Sequence, residues 1–292
     1  MSDPAITFIV GVGRSGSSIF NEVLVTHPLV SWPSILSSRW PDRPGYNRAL
    51  MRGLDVPLLG RVLGRYFEAH ECYPMWNHGF PGFATPCRDL TAEDVTASVR
   101  QRLRRLLHAQ VAPGRPHLVA KITGWSRLSF LNAIFPDARF IQILRDGRAV
   151  TSSMLKVDWW TGWHGPPAWG WGALTPAQQE AWEQSGRSFI ALAAIQWQIL
   201  MTAAERAKPE LDPARYLELR YEDVCADPVG CYRRAVEFAG LPWVPRFERS
   251  VRRTAFRNEN TKWQRDFTPD QQALVNRLLG DDLRRYGYLV EA

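Results

Sequence analysis

Lysine is scarce in this 292-residue chain, present only as Lys121, Lys156, Lys208 and Lys262. The net charge of +7 therefore rests almost wholly on arginine, whose planar guanidinium suits bidentate contacts to phosphate and sulfate. The arginines are scattered, with short clusters only at 100–105 and 246–253. That distribution argues against a nucleic-acid partner and for an anionic small molecule. The four cysteines (Cys72, Cys87, Cys225, Cys231) form no CxxC pair and no metal-ligand spacing, so no metal is expected and reduced thiols in a cytoplasmic protein are. No stretch approaches the roughly 20 apolar residues of a membrane span. Met1-Ser2-Asp3 leads straight into apolar sequence without a basic n-region or cleavage site, so secretion is not expected.

What is present is concentrated at 6–18, Ile-Thr-Phe-Ile-Val-Gly-Val-Gly-Arg-Ser-Gly-Ser-Ser. An apolar, β-branched run predicts a buried strand, and Ile19, Phe20, Val23 and Leu24 predict an amphipathic helix after the turn. Strand, glycine-rich turn and helix N-terminus together make an anion site, because backbone N–H groups converge there and the helix dipole adds positive potential. Gly11-x-x-x-x-Gly16-x-Ser18 fits a phosphate loop with one departure. Ser17 stands where an NTP-hydrolysing loop carries its lysine, and the positive charge comes earlier, at Arg14. A tight strand-to-helix turn with an exposed Arg14 is the competing reading.

Further strands are expected at His117–Ile122, Ala138–Leu144 and Arg215–Leu219. A capping box at Thr91–Asp94 predicts a helix with Val95, Val99, Leu103, Leu106 and Leu107 on one face. Leu128–Phe135 predicts a short helix stopped by Pro136. Thr175-Pro176 predicts one long helix running through Phe189, Leu192, Ile195 and Ile199, and Thr268-Pro269 caps the last. Residues 31–60 read as irregular structure with short helices. Alternating strands and helices imply an α/β fold, a three-layer arrangement with a central, mostly parallel sheet flanked by helices. The turns at 11–18, 121–127 and 145–153 would then open on one edge, where ligands sit in such sheets.

Arg145 lies at the end of the predicted third strand, in Arg145-Asp146-Gly147-Arg148-Ala149-Val150-Thr151-Ser152-Ser153, with Ser153 about two helical turns on. Arginine and hydroxyl together can hold a second phosphate; a helix start with a surface Arg–Asp pair is the alternative. Gly13–Ser18 and Arg145–Ser153 together resemble the sulfotransferases that use 3′-phosphoadenosine 5′-phosphosulfate (PAPS). The resemblance extends to Leu219-Arg220-Tyr221-Glu222-Asp223-Val224, Asp227-Pro228, Asn260–Gln264 and Tyr286-Gly287-Tyr288, and so spans nearly the whole chain. It is nearest to bacterial members of the group that includes carbohydrate and tyrosyl-protein sulfotransferases. It implies a P-loop-like fold in a single domain, 1–292, with irregular insertions at about 31–90 and a Trp-rich loop at 158–172.

The resemblance also implies roles. Arg14 would contact the 5′-phosphosulfate. Gly13, Ser15, Gly16, Ser17 and Ser18 would wrap the 5′-phosphate, Arg145 and Ser153 would hold the 3′-phosphate, Tyr221 would lie near the adenine, and Arg257 would add to the 3′-phosphate site, although the family's Arg-Lys-Gly run is absent. PAPS would be donor and 3′-phosphoadenosine 5′-phosphate (PAP) product, without a metal. The family's usual bases are missing: Thr123 replaces a histidine after Lys121, and 27–34 carries no carboxylate. The segment His70-Glu71-Cys72-Tyr73-Pro74-Met75-Trp76-Asn77-His78 offers Glu71 first, then His78 and His70, with Lys121 as an aid to charge neutralisation. An exposed loop carboxylate competes with that reading of Glu71. Five tryptophans in 158–172 predict either a lid that stacks on a sugar or on an aromatic or polyketide-type alcohol, or a loop packed as core. A small-molecule kinase and a non-catalytic PAP-binding relative are the alternative functions, and a homo-oligomer is left open.

Overall fold

The computed structural model describes residues 3–56, 58–84 and 87–289. Its centre is a five-stranded, wholly parallel sheet in the order β2-β3-β1-β4-β5. The strands are β1 (Ala5–Gly11), β2 (Val30–Ser31), β3 (His117–Thr123), β4 (Arg139–Leu144) and β5 (Tyr216–Arg220). β1 pairs on both sides, with β3 from Ala5↔His117 to Gly11↔Thr123 and with β4 from Thr7↔Arg139. It is buried from Ile6 to Gly11, as a central parallel strand covered on both faces must be.

Side-chain alternation divides the core. Phe8, Val10, Leu118, Ala120 and Ile122 pack on one face beneath the helices Tyr73–Gly79, Ala97–His108 and Leu128–Ile134. Ile9, Val119, Ile141 and Ile143 pack on the other, against α1 (Ser17–Leu24) and the helices Pro228–Ala239 and Pro245–Arg253. A further core joins the helices Gly147–Met154, Phe189–Ala207 and Pro269–Arg285. These are the three layers that the alternation of strands and helices predicts.

Three expectations need correction. β2 escapes the sequence reading because two residues, Val30 and Ser31, are too few to show a period. The capping box at Thr91 is real, but it closes only the 3₁₀ turn Ala92–Asp94; the helix begins at Ala97, capped by Thr96, and Val95 lies in the joint. The long helix expected from Thr175 is two, Pro176–Gln184 and Phe189–Ala207. Gly186 (φ 70°) and Arg187 (φ 58°) take the left-handed conformation between them, and Ser188 caps the second.

A candidate active site at the carboxyl edge of the sheet

The ends of β1, β3 and β4 open into a cleft of about 1190 Å³. The β1–α1 turn forms its floor. Gly16 holds φ 89°, and a Cβ there would lie 2.3 Å from the Tyr221 ring, so the position takes no side chain. Arg14 also adopts a left-handed conformation, φ 70°. The first N–H groups of α1, at Ser17 and Ser18, have no acceptor within the helix, and both residues line the cleft with Gly13, Arg14 and Gly16. Ser15 differs from the expectation. Its N–H is spent on the Val12 carbonyl at 3.1 Å, and its hydroxyl is buried beneath the turn with no partner among the described residues. It shapes the turn rather than facing the cleft.

The second predicted clamp meets the first directly. Arg145 Nη1 donates to the Arg14 carbonyl at 2.9 Å, and Arg14 Nε donates to Ser153 Oγ at 2.9 Å. The Arg145 guanidinium lies 4.4 Å from the centre of the Tyr221 ring and also donates to Asn260 Oδ1 at 3.2 Å. Burial lowers its pKa, and the neighbouring Tyr221 and Glu222 work against that. Tyr221 is thus wedged between Gly16 and Arg145, with its hydroxyl donating to the Arg257 carbonyl at 2.5 Å. Burial is the main cause that raises the Tyr221 pKa to about 12. Arg257 contributes that carbonyl; its side chain is exposed and is not among the residues lining the cleft. Lys156, Lys262 and Trp263, which the resemblance assigned no role, line it instead.

Lys121 shares a strand face with Val119 and so points toward α1. Its ammonium, on a residue only 5% exposed, donates to Ser18 Oγ at 2.7 Å and pairs with Glu71 Oε1 at 3.0 Å. Thr123 Oγ1 donates to the same carboxylate oxygen at 3.0 Å. Tyr73, whose hydroxyl donates to the Thr123 carbonyl at 2.6 Å, ties this segment to the end of β3. Burial works to raise the Glu71 pKa, but Lys121 and Thr123 outweigh it and hold the carboxyl below its ordinary value. Glu22 and Glu68, unremarked in the sequence, stand on the same wall. Burial first, and then Glu68, raises the Glu22 pKa.

His70 lines the cleft, exposed. His78 lies at the far end of its helix, absent from the cleft lining, and its Nε2 pairs with Asp42 at 2.7 Å. Its place as second-choice base is therefore withdrawn. Five residues, about 1.4 helical turns, separate it from Tyr73, which heads the same helix and lines the cleft, a displacement the composition of 70–78 did not reveal.

The Trp-rich loop is both cleft wall and core. Trp160 is buried and donates to Gln196 Oε1 at 2.6 Å, and Trp169 donates to the Gly172 carbonyl at 2.7 Å. Trp159, Trp169 and Trp171 nevertheless face the cleft, joined by Trp125, whose ring centre is 6.2 Å from that of Trp171. The indole N–H groups of Trp125 and Trp171 are buried without an acceptor among the described residues. Among those residues, no group of three or more His, Cys, Asp or Glu side chains is placed to share a metal ion.

A family model described as the sulfotransferase family matches residues 5–245. The chain belongs to the sulfotransferase family. It is 27% identical over 166 residues to an omega-hydroxy-beta-dihydromenaquinone-9 sulfotransferase of Mycobacterium bovis, covering 56% of this chain and 38% of the relative. Carbohydrate sulfotransferase 3 of Tetronarce californica is 24% identical over 193 residues, 63% of this chain and again 38% of the relative. The match thus spans well under half the length of these curated relatives. Among solved structures, a sulfotransferase from Mycobacterium avium superposes with a TM-score of 0.58 at 17% identity, covering 98% of this chain and 77% of the other. The sulfotransferase domain of the curacin biosynthetic pathway gives 0.51 at 15%, covering 95% of this chain and 97% of that domain. These likenesses bear out the P-loop-like, three-layer fold.

Proposed function

We propose that the chain is a single catalytic domain that moves a sulfuryl group from PAPS to an acceptor hydroxyl, releasing PAP. The observation that supports this reading is the direct bond between Arg145 and the Arg14 main chain, which brings the residues proposed for the two phosphates side by side. The residues present fit the donor. The turn bars any Cβ at Gly16 and offers the free N–H groups of α1, while Arg14, Arg145 and Ser153 converge beside it. Gly13, Arg14, Gly16, Ser17 and Ser18 would hold the 5′-phosphosulfate, and Arg145 with Ser153 the 3′-phosphate.

The donor supplies a sulfur already bonded to a good leaving phosphate. The acceptor oxygen forms its bond to sulfur as the bond from sulfur to the bridging oxygen breaks, and the electron pair leaves on the 5′-phosphate. Glu71 takes the acceptor proton. Its lowered pKa keeps it ionised and ready at neutral pH. Lys121 bridges this base and Ser18 on the phosphate loop. As Glu71 gains the proton, its hold on the ammonium weakens, and the Lys121 charge becomes available to the oxygens that gather negative charge.

The acceptor is a small-molecule alcohol of some size, partly apolar or glycosidic, laid against Trp125, Trp159 and Trp171. The menaquinone derivative and the carbohydrate named for the relatives span the same range. Four free cysteines accord with work in the cytoplasm.

Titration calorimetry with PAP against ADP and Mg²⁺ tests the donor. PAP should bind at micromolar concentration or tighter. Arg145→Ala should weaken it about 10–100-fold, the worth of a charge-assisted hydrogen bond of roughly 1.5–3 kcal/mol. Equal affinity for ADP with Mg²⁺ would transfer the assignment to a kinase. Transfer of labelled sulfate from PAPS to a panel of alcohols then separates an enzyme from a binding protein.

A further inference from the structure

Seven of the ten large hydrophobic side chains exposed among the described residues fall within 35–62, including Trp40, Tyr46, Val56, Leu58 and Val62. Leu58 is 75% exposed. Residues 35–66 make an excursion from the fold whose two ends are tied by the bridge Ser34↔Ala69. Within it the helices Pro44–Gly53 and Leu59–Tyr66 form a hairpin closed at Gly53, where a Cβ would lie 2.5 Å from Leu63. Leu63 packs toward the core, while Leu58 and Val62, four residues apart, face outward together.

The charge around this apolar tip is one-sided. The excursion carries six arginines against two aspartates. Both aspartates are already engaged, Asp42 with His78 at 2.7 Å and Asp55 with Arg115 at 2.7 Å. Arg39, Arg43 and Arg52 are exposed, and none pairs with a carboxylate among the described residues. Arg39 lies over the Trp40 ring at 5.4 Å, and Arg43 donates to the Tyr46 hydroxyl at 3.2 Å. Exposed leucine and valine, flanked by tryptophan, tyrosine and unneutralised arginine, are the composition of a segment that lies in a lipid–water interface.

We propose that the 35–66 excursion docks on an anionic lipid bilayer. The arginines match the negative surface of such a leaflet, the aromatic rings match the headgroup level, and Leu58 and Val62 reach the acyl boundary. A second copy of the chain is a poorer occupant, because a two-fold contact would bring the same arginines against one another. The excursion ends at Glu68–Glu71, on the wall of the cleft. An amphiphile leaving the bilayer would therefore arrive beside Glu71. Docking itself does not depend on the sulfuryl-transfer reading and is measured without turnover.

The test is co-sedimentation of the full chain with vesicles of phosphatidylcholine alone and with about one third phosphatidylglycerol. Partition onto the anionic vesicles should be at least about tenfold stronger and should fall as salt is raised. Leu58→Glu with Val62→Glu should cut it at least about tenfold, as should Arg39→Glu with Arg43→Glu and Arg52→Glu, with thermal melting unchanged because these side chains are exposed. The milder pair Leu58→Ser with Val62→Ser should give an intermediate loss. Absent binding, equal binding to both vesicle types, or binding indifferent to these substitutions would overturn the proposal. So would a dimer in sedimentation velocity that Leu58→Glu dissolves while vesicles are ignored.

Discussion

At the scale of single residues, the proposed chemistry of the cleft turns on the pair Lys121–Glu71. A nearly buried ammonium beside a largely covered carboxylate is costly to assemble, and removing one partner leaves the other uncompensated. Glu71→Gln keeps the side-chain shape and the bond from Thr123 but cannot accept a proton. Sulfuryl transfer should fall about 10²–10⁴-fold while PAP affinity changes little, as single-turnover kinetics and calorimetry would record separately. The pH profile follows from the sign of the shift. A base whose pKa is lowered stays ionised down to acid pH, so kcat/KM should hold steady from neutrality and decline only below the ordinary glutamate value of about 4.3. Full turnover in Glu71→Gln would move the role to Glu22 or Glu68, the other carboxylates on that wall.

At the scale of elements, the Trp-rich loop packs some of its rings into the core and lines the cleft with others. Trp160 ties it to Gln196 through a buried hydrogen bond, Trp169 packs with Leu192 and Ile195, and Trp171 lies over Gly124, where even a Cβ would come within 3.2 Å of the ring. Trp163 instead meets Phe189 edge-on at 4.9 Å, half exposed and away from the cleft. Trp171→Ala should raise the acceptor KM about tenfold, near 1.4 kcal/mol of lost contact, with PAP affinity kept; Trp163→Ala should leave both unchanged. Steady-state kinetics with one acceptor distinguishes them. The loops at 11–18 and 145–153 were legible in the sequence because glycine, arginine and hydroxyl stand at fixed offsets from a strand end. Lys121 was legible for the same reason, as the cation at the tip of β3. Glu22 and Glu68 were not, because one sits on an otherwise ordinary helix and the other closes an excursion whose return to the sheet depends on the Ser34↔Ala69 bridge. His78 was misplaced for the complementary reason: neighbours in sequence with Glu71, its ring turns to Asp42 once Tyr73 opens a helix.

At the scale of the whole molecule, the opposite edge of the sheet sets the response to acid. His117 begins β3, registers with Ala5 and Val30, and is bonded to Thr7 Oγ1 at 2.9 Å across the strands. Burial first, then Arg139 and His27, lowers its pKa to about 4. The unfolded chain protonates this ring near the ordinary value of about 6.5, whereas the folded one does not. Between those values the unfolded state binds more protons, so stability must fall as pH drops from about 6.5 toward about 4, by an amount on the order of 3 kcal/mol in full. Below about 4 the loss levels off for this group. Denaturant titrations at a series of pH values should show that decline, and His117→Gln, which keeps a hydrogen-bonding side chain but cannot take up the proton, should flatten it. The proposed donor site lies at the other end of the same strands, so PAP affinity in the variant should follow that of the parent wherever both remain folded. If the decline persisted undiminished in His117→Gln, the acid sensitivity would belong instead to His27, whose Nε2 lies 2.9 Å from the Pro242 carbonyl, or to His108, since burial lowers the pKa of both.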